Sequence, residues 1–418
     1  MKRLIPCALA LAAATFATSG CSDGKAASPT YDSVQEAAAI AQQPAVLNTL
    51  EQLVNIETGT GDATGMAQMA DYLERRLTAL GGTVSRYQAE DGTVGDNVVA
   101  RFQGDGTTRI LMIAHMDTVY PRGFLAAAPF RIDGNRAYGP GIADDKGGIA
   151  VILHSLEILR ARGFREYGTL TVMFNTDEET GSDGSRDLIR RLAAAHDYVM
   201  SHEPTGDTET IGLATSGIAY AEARIKGKAS HAGAAPELGV NALTEAADLI
   251  LRTQDIDNKD REIRFNWTLA QAGTASNAIP DTAKLNADAR YGRSEDLEAI
   301  RQMLGERAQR KRLSAADVQV TVTDGRPAFN ATEGGRALAN KAVSIYQELG
   351  QTLTISEARS GGGTDAAYAA QSNKPVVEGL GLPGFGYHTN SAEYVLIDAI
   401  PRRLYLNMRM VTDLSRGR

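Results

Sequence analysis

Cysteine is almost missing from this chain: there are two, Cys7 and Cys21, both close to the N-terminus. A body without cysteine can hold neither a disulfide framework nor a thiolate metal site. Basic residues are also in deficit, with 43 Lys and Arg against 51 Asp and Glu and a net charge of −8. No basic stripe is available to neutralise a row of phosphates, which excludes nucleic acid as a general partner. Bilayer-length apolar runs are missing too, since Leu4–Phe16 is shorter than the roughly 20 residues that a spanning helix needs. Internal repeats and low-complexity blocks are likewise lacking. What remains is 418 residues of 43% apolar content, enough for two or three domains with real cores.

The N-terminus reads as an export leader over residues 1–20, because Lys2 and Arg3 precede the apolar stretch and small residues Thr18, Ser19 and Gly20 follow it. Its removal deletes two bases and no acid, so the remaining chain is more acidic still. Cys21 at the new terminus is the position of a lipid anchor in bacterial lipoproteins, although Thr18 stands where such signals usually carry Leu. A soluble periplasmic or secreted protein is the alternative. Residues 21–30, rich in Ser, Ala and Gly, read as a flexible tether.

Apolar spacing predicts two helices between Val34 and Leu80, then buried strands at Asn97–Phe102, Arg109–Ala114 and Thr169–Phe174, with a helix at Gly148–Arg160. Strands alternating with helices suggest an α/β fold on a mostly parallel sheet. The pattern changes from 216 to 326. Ile218–Gly227 alternates as a strand, Asn241–Arg252 is an amphipathic helix, and Ile263–Gln271 and Thr282–Tyr291 alternate again. A charged helix, Ser294–Leu313, and a strand, Asp317–Thr323, complete a strand, helix, strand, strand, helix, strand series. That order is ferredoxin-like. A helix at Gly334–Gly350, a glycine-rich stretch at Ser360–Gly363 and a terminal helix near Ala399–Leu414 follow. The expected organisation is one α/β domain, 31–215 and 327–418, interrupted by an inserted α+β domain, 216–326.

Chemistry-bearing residues cluster where these elements end. His115 and Asp117 follow the run Ile110–Ala114, at the carboxyl end of a strand, where open α/β sheets place their ligands. Asp117 can orient the imidazole by accepting its second N–H. Asp144 and Asp145 occupy a glycine turn before a helix, and Asp177, Glu178 and Glu179 form three consecutive acids after a strand. Such acids repel one another unless solvated or neutralised by cations. Glu203 in His202-Glu203-Pro204 and His388 in Tyr387-His388-Thr389 close the set. Each is weak alone, and a solvated turn explains any one of them. Together, two His and three carboxylates suit a pair of zinc ions with mixed nitrogen and oxygen ligands. Of the other histidines, His154 reads as packed core, and His196 and His202 as surface or loop residues.

The ordered motifs HMDTV, GPGIADDKGG, NTDEETGS, HEPT and FGYHTN, together with GKASHAGAAPELGVNAL and GGGTDAAYAA, resemble the zinc-dependent peptidase family of aminoacylases, succinyl-diaminopimelate desuccinylase and glutamate carboxypeptidase. The likeness to its glutamate carboxypeptidase members spans nearly the whole chain after the leader. It implies a zinc-peptidase catalytic domain with an inserted dimerisation domain, and hence a homodimer. It implies that His115, Asp144 and Glu203 hold one zinc ion while His388, Asp144 and Glu179 hold the other, Asp144 bridging. Glu178 is then the general base, Asp117 the partner of His115, and His231 an oxyanion donor. Asn277, Arg290, Arg326 and Gly363 are implied on the substrate side, the arginines for a free carboxylate. A cis peptide at Asp144–Asp145 is implied as well. The expected reaction is hydrolysis of the amide bond to a C-terminal residue, glutamate first, in N-acyl-glutamates, glutamyl peptides or folates. Aminoacylase, dipeptidase or desuccinylase activity, or a binding protein without turnover, are the alternatives. Thr210 and Gly212 stand where glutamate-specific members lead one to expect Lys and Ser.

Overall fold

A computed structural model describes residues 31–389 and 393–418. The leader, the tether and Cys21 lie outside the described residues. Among the described residues, no helix is long and apolar enough to cross a membrane.

Helices α1 (Ser33–Val54) and α2 (Ala63–Ala79) occupy the predicted helical region, and the side chains of Asp32 and Asp62 cap them by accepting from first-turn N–H groups. Strands β1 (Thr83–Gln88), β2 (Asp96–Gln103) and β3 (Arg109–His115) follow, then α3 (Lys146–Ala161), β4 (Thr169–Asn175), α4 (Arg186–Ala195) and β5 (Tyr198–Ser201). With the short strand Val376–Val377 they build a six-stranded sheet in the order β1-β2-β4-β3-β5-(376–377). β3 runs parallel to β4 and β5, and Val376–Val377 parallel to β5, while β1 and β2 form an antiparallel edge.

The alternation along β3 explains why it reads as a continuous apolar run. Ile110, Met112 and Ala114 point into one core, shared with α1 and α3, whereas Leu111 and Ile113 join a second core beneath α4. Both faces are buried. Helix α3 is buried nearly all round, which its apolar sequence requires.

The predicted inserted unit comprises β6 (Gly217–Lys226), α5 (Ala242–Arg252), β7 (Arg264–Ala272), β8 (Thr282–Tyr291), α6 (Ser294–Ala308) and β9 (Asp317–Asp324). Its sheet order is β7-β8-β6-β9, antiparallel throughout, which is the ferredoxin-like arrangement. One face is buried and the other open, as the strict alternation of burial along β6 demands. α6 stops at Ala308, five residues before the predicted end at Leu313. β7 is an edge strand, mostly exposed, with a bulge between Trp267 and Leu269.

α7 (Glu333–Glu348), the short α8 (Ala366–Ala370) and α9 (Ile400–Ser415) return the chain to the first core. A small sheet of Gly384–Phe385, Tyr394–Leu396, Arg136–Tyr138 and Arg131–Asp133 was not anticipated. It ties the C-terminal segment to the turn that precedes Asp144.

Candidate metal centre and its cleft

The carboxyl ends of β3, β4 and β5 bring His115, the Asp177–Glu179 triplet and Glu203 to one edge of the sheet. Asp144 arrives from the turn that starts α3, and His388 from the C-terminal segment. His115 is buried, with its Nε2 2.9 Å from Asp144 Oδ1 and 3.7 Å from Glu203 Oε1. His388, half exposed, places Nε2 3.4 Å from Asp144 Oδ2 and 3.1 Å from Glu179 Oε2. The two oxygens of Asp144 therefore face different histidines. Potential ligand atoms of His115, Asp144 and Glu179 form one compact group, and those of His115, Asp145 and Glu203 another.

Asp145 is occupied otherwise. Its Oδ1 accepts from Gly148 N–H at 3.1 Å, capping α3, and its Oδ2 accepts from His115 N–H at 3.4 Å. The Asp144–Asp145 peptide is cis, as the resemblance implies. Asp144 is held in place by Glu393, whose carboxylate accepts from the N–H groups of Gly141, Ala143 and Asp144 at 2.9, 2.8 and 3.0 Å. Buried Lys146 donates to the carbonyls of Ile56 and Pro140, fixing the other side of the same turn.

Asp117 is fully buried, and its carboxylate does more than meet His115. Oδ1 accepts from Glu178 N–H at 3.0 Å, and Oδ2 accepts from Glu179 N–H at 3.1 Å and from the Thr60 hydroxyl at 2.7 Å. The nearer acceptor for His115 Nδ1 is the Asp117 carbonyl, at 3.0 Å, with Oδ1 at 3.3 Å. One residue thus orients both the histidine and the glutamate pair.

Charge is unbalanced here. Burial opposes a charged His115, but Glu203, Asp117 and Asp144 outweigh it and push its pKa well above the usual range. Hydrogen bonding to Asp144 and Glu179 raises His388 to about 10. Burial and the Asp144 charge raise Glu179 to about 8, while burial and neighbouring acids raise Glu203 well above its ordinary value. A divalent cation relieves such a cluster. Imidazole and carboxylate donors without sulfur fit zinc or another first-row ion.

Glu178 stands beside this group, its carboxylate paired with the Arg326 guanidinium. Arg326 also donates to the Glu178 carbonyl at 2.6 Å, the Ser182 hydroxyl at 3.0 Å and the Gly363 carbonyl at 2.8 Å. It is 3% exposed, so the carboxylate it meets in this structure is the protein's own. Arg290 is part-exposed on β8, gripping Asp288 through two 2.8 Å bonds and reaching the Gly361 carbonyl at 3.4 Å. Gly363 lies in the cleft wall. His231 and Asn277 adjoin each other in two loops of the inserted unit, joined by Ala232 N–H to the Asn277 carbonyl at 2.9 Å. Neither is among the residues that wall the cleft. His231 Nδ1 accepts from Gly233 and Ala234 N–H, which leaves Nε2 to carry the proton.

Two of the remaining histidines lie in loops, as expected, but are buried and not at the surface. His202 is fully buried, with Nε2 2.7 Å from Asn407 Oδ1, and His196 is buried against Thr171 and the Leu192 carbonyl. Partners distant in sequence bury them. His154 is core, as expected, bonded to Thr49 and Gln42.

The metal-facing atoms open onto a cleft of about 510 Å³, walled by the 203–215 segment, the 356–364 loop, Glu378 and Tyr387. Glu393, Lys146 and Glu378 went unmarked in the sequence reading. An acid five residues after a candidate ligand, or directly after a two-residue buried strand, carries no periodic signal.

The family model for peptidase family M20/M25/M40 matches residues 111–413. Carboxypeptidase G2 of Pseudomonas sp. (strain RS-16) is 60% identical over 397 residues, covering 94% of this chain and 95% of that protein. Succinyl-diaminopimelate desuccinylase of Corynebacterium glutamicum is 27% identical, covering 60% of this chain and 67% of the other. Among solved structures, aminopeptidase PepT of Bacillus cereus superposes with a TM-score of 0.75 at 26% identity, covering 89% of this chain and 98% of that one. The YXEP protein of Bacillus subtilis, described as a dinuclear metal binding peptidase, superposes with a TM-score of 0.68 at 18% identity over 90% of this chain and 99% of its own. The family match over residues 111–413 and the 60% identity across nearly the full length of both chains show that the chain belongs to peptidase family M20/M25/M40.

Proposed function

We propose that the chain is a two-zinc carboxypeptidase of the carboxypeptidase G2 kind, which hydrolyses the amide bond to a C-terminal amino acid, glutamate first. The observation that carries this reading is Asp144, whose two oxygens each face a histidine that also meets a glutamate. His115, Asp144 and Glu203 would hold one ion, and His388, Asp144 and Glu179 the other. Asp145 is set aside because both its oxygens serve main-chain N–H groups. Bound zinc polarises a scissile carbonyl and lowers the pKa of bound water.

The chain's own groups do the rest. Asp117 fixes the ring of His115 and, through two N–H bonds, the Glu178–Glu179 turn, so that one acid serves as ligand and its neighbour as proton carrier. Glu178 takes a proton from the attacking water and returns it to the leaving amine. For Arg290 to receive a substrate carboxylate it would exchange Asp288 for the substrate, and for Arg326 to serve it would likewise exchange Glu178. His231, with a proton on Nε2, suits an oxyanion donor, and Asn277 lies beside it. Their approach to the cleft requires rearrangement of the inserted domain or a second chain. Edge strand β7, exposed and carrying Leu269 at 65% exposure, supports a homodimer formed through residues 216–326. Export to the periplasm or beyond, with or without lipid on Cys21, completes the reading.

The test is Glu178→Ala in the zinc-loaded chain. Metal analysis should show two ions per chain retained, and hydrolysis of N-acyl-glutamates should fall by about 10²–10⁴-fold. Activity kept at more than a few per cent of wild type removes Glu178 from the role of base.

A further inference from the structure

One carboxyl group in the cleft wall has no part in the reaction as proposed. Glu378 follows the edge strand Val376–Val377, is 5% exposed, and neither of its oxygens has a hydrogen-bond partner among the described residues. The hydroxyls of Thr215 and Thr364, in the same wall, lack partners in the same way. Buried polar atoms in folded proteins are paired in the great majority of cases. Four unpaired atoms, on three residues around a single cleft, point to partners that arrive with a ligand.

Their neighbours indicate what kind of ligand. The wall contains Asp144, Glu178, Glu179, Glu203 and Glu378, and no Lys or Arg among the described residues. Burial pushes Glu378 up to about 7, reinforced by the charges of Glu178 and Asp365; the Ser201 and Thr364 hydroxyls lie near enough to oppose the rise but not in hydrogen-bonding geometry with it. In its protonated form, which the raised value makes accessible near neutral pH, this carboxyl group is a hydrogen-bond donor. With the two threonines it supplies three O–H donors, which suit an acceptor.

The strand Thr210–Gly212 adds the space. Gly212 is bridged to Glu378 on one side and paired with Ser356 on the other. Ile211 points into the core, so Thr210 and Gly212 share the opposite, cleft face. A Cβ built on Gly212 meets nothing within 4 Å. Beside Glu378 there is therefore room for a substrate side chain and no cation to receive it.

We propose that Glu378, with the hydroxyls of Thr215 and Thr364, forms the subsite that receives the side-chain carboxyl group of the released amino acid. This rests on the carboxypeptidase reading and deepens it: glutamate is selected by neutral donors in a site that offers no ammonium or guanidinium group.

The experiment compares kcat/KM for N-acyl-glutamate and N-acyl-norvaline, using the zinc-loaded full chain. In Glu378→Ala the glutamate-to-norvaline ratio should fall by about thirtyfold, mostly through KM, while Glu378→Gln, which keeps an N–H donor, should hold the ratio within about threefold. A ratio unchanged in Glu378→Ala assigns the residue to structure, and a ratio that rises shows a carboxylate that repels glutamate; either overturns the proposal. Should Glu378→Ala fail to fold, Thr215→Val decides: the ratio is expected to drop by about fivefold, and no drop overturns the subsite. A wild-type enzyme active on both amides without preferring glutamate also defeats the subsite alone. One that hydrolyses neither defeats the carboxypeptidase reading with it.

Discussion

His202 shows how far a single residue's neighbourhood can depart from its sequence context. Next to a charged glutamate and a proline it reads as a loop residue, yet it is fully buried between the Ile113 carbonyl and Asn407. Burial lowers its pKa to about 4. The unfolded chain then binds a proton between the ordinary value near 6.5 and about 4 that the folded chain does not. Stability from this group is fully present above that ordinary value and is lost as pH falls towards about 4, amounting to about 3 kcal/mol. Chemical denaturation between pH 7 and pH 4 should show that slope in the wild type and a flatter one in His202→Gln; equal slopes would rule out His202 as its source. The candidate ligands were legible because each lies within two residues of a glycine, proline or acid. His202 was not, since Asn407 lies 205 positions away.

At the level of elements, strand positions were read well wherever both faces are buried. The run Ile110–Ala114 announces β3 because alternate residues serve two different cores. β1 escaped notice because Thr83–Gln88 is an edge strand of mainly intermediate burial, without strong alternation. The turn before α3 was legible as a glycine turn carrying acids, but its brace was not. Glu393 accepts three N–H groups of that turn across about 250 positions. Replacing Glu393 with Gln leaves a single carbonyl oxygen for three donors. Zinc affinity, followed by competition with a chromogenic chelator, should fall by about 10–100-fold, with stability lower by about 1–3 kcal/mol. Undiminished affinity would mean that the turn holds Asp144 without its brace.

For the whole molecule, the order of strands and helices in the inserted unit could be anticipated from apolar periodicity, whereas its surroundings could not. Its outer edge is β7, and Leu269 there and Leu251 on α5 are each 65% exposed. A row of unpaired main-chain groups beside exposed leucines suits pairing with a second copy. Leu269→Glu places a charge on that edge and should convert a dimer to a monomer in light scattering, with zinc content unchanged. A variant that remains dimeric locates the contact elsewhere.

The brace on Asp144 also sets a timetable. A growing chain contains His115, Asp144, Glu179 and Glu203 well before it contains His388 and Glu393, because the whole inserted unit is made in between. Until that last stretch emerges, Asp144 lacks its Glu393 brace and His388 is missing. On the proposed two-ion reading, a chain that ends before His388 should lack hydrolytic activity. Assembly of the centre thus waits for the C-terminal segment.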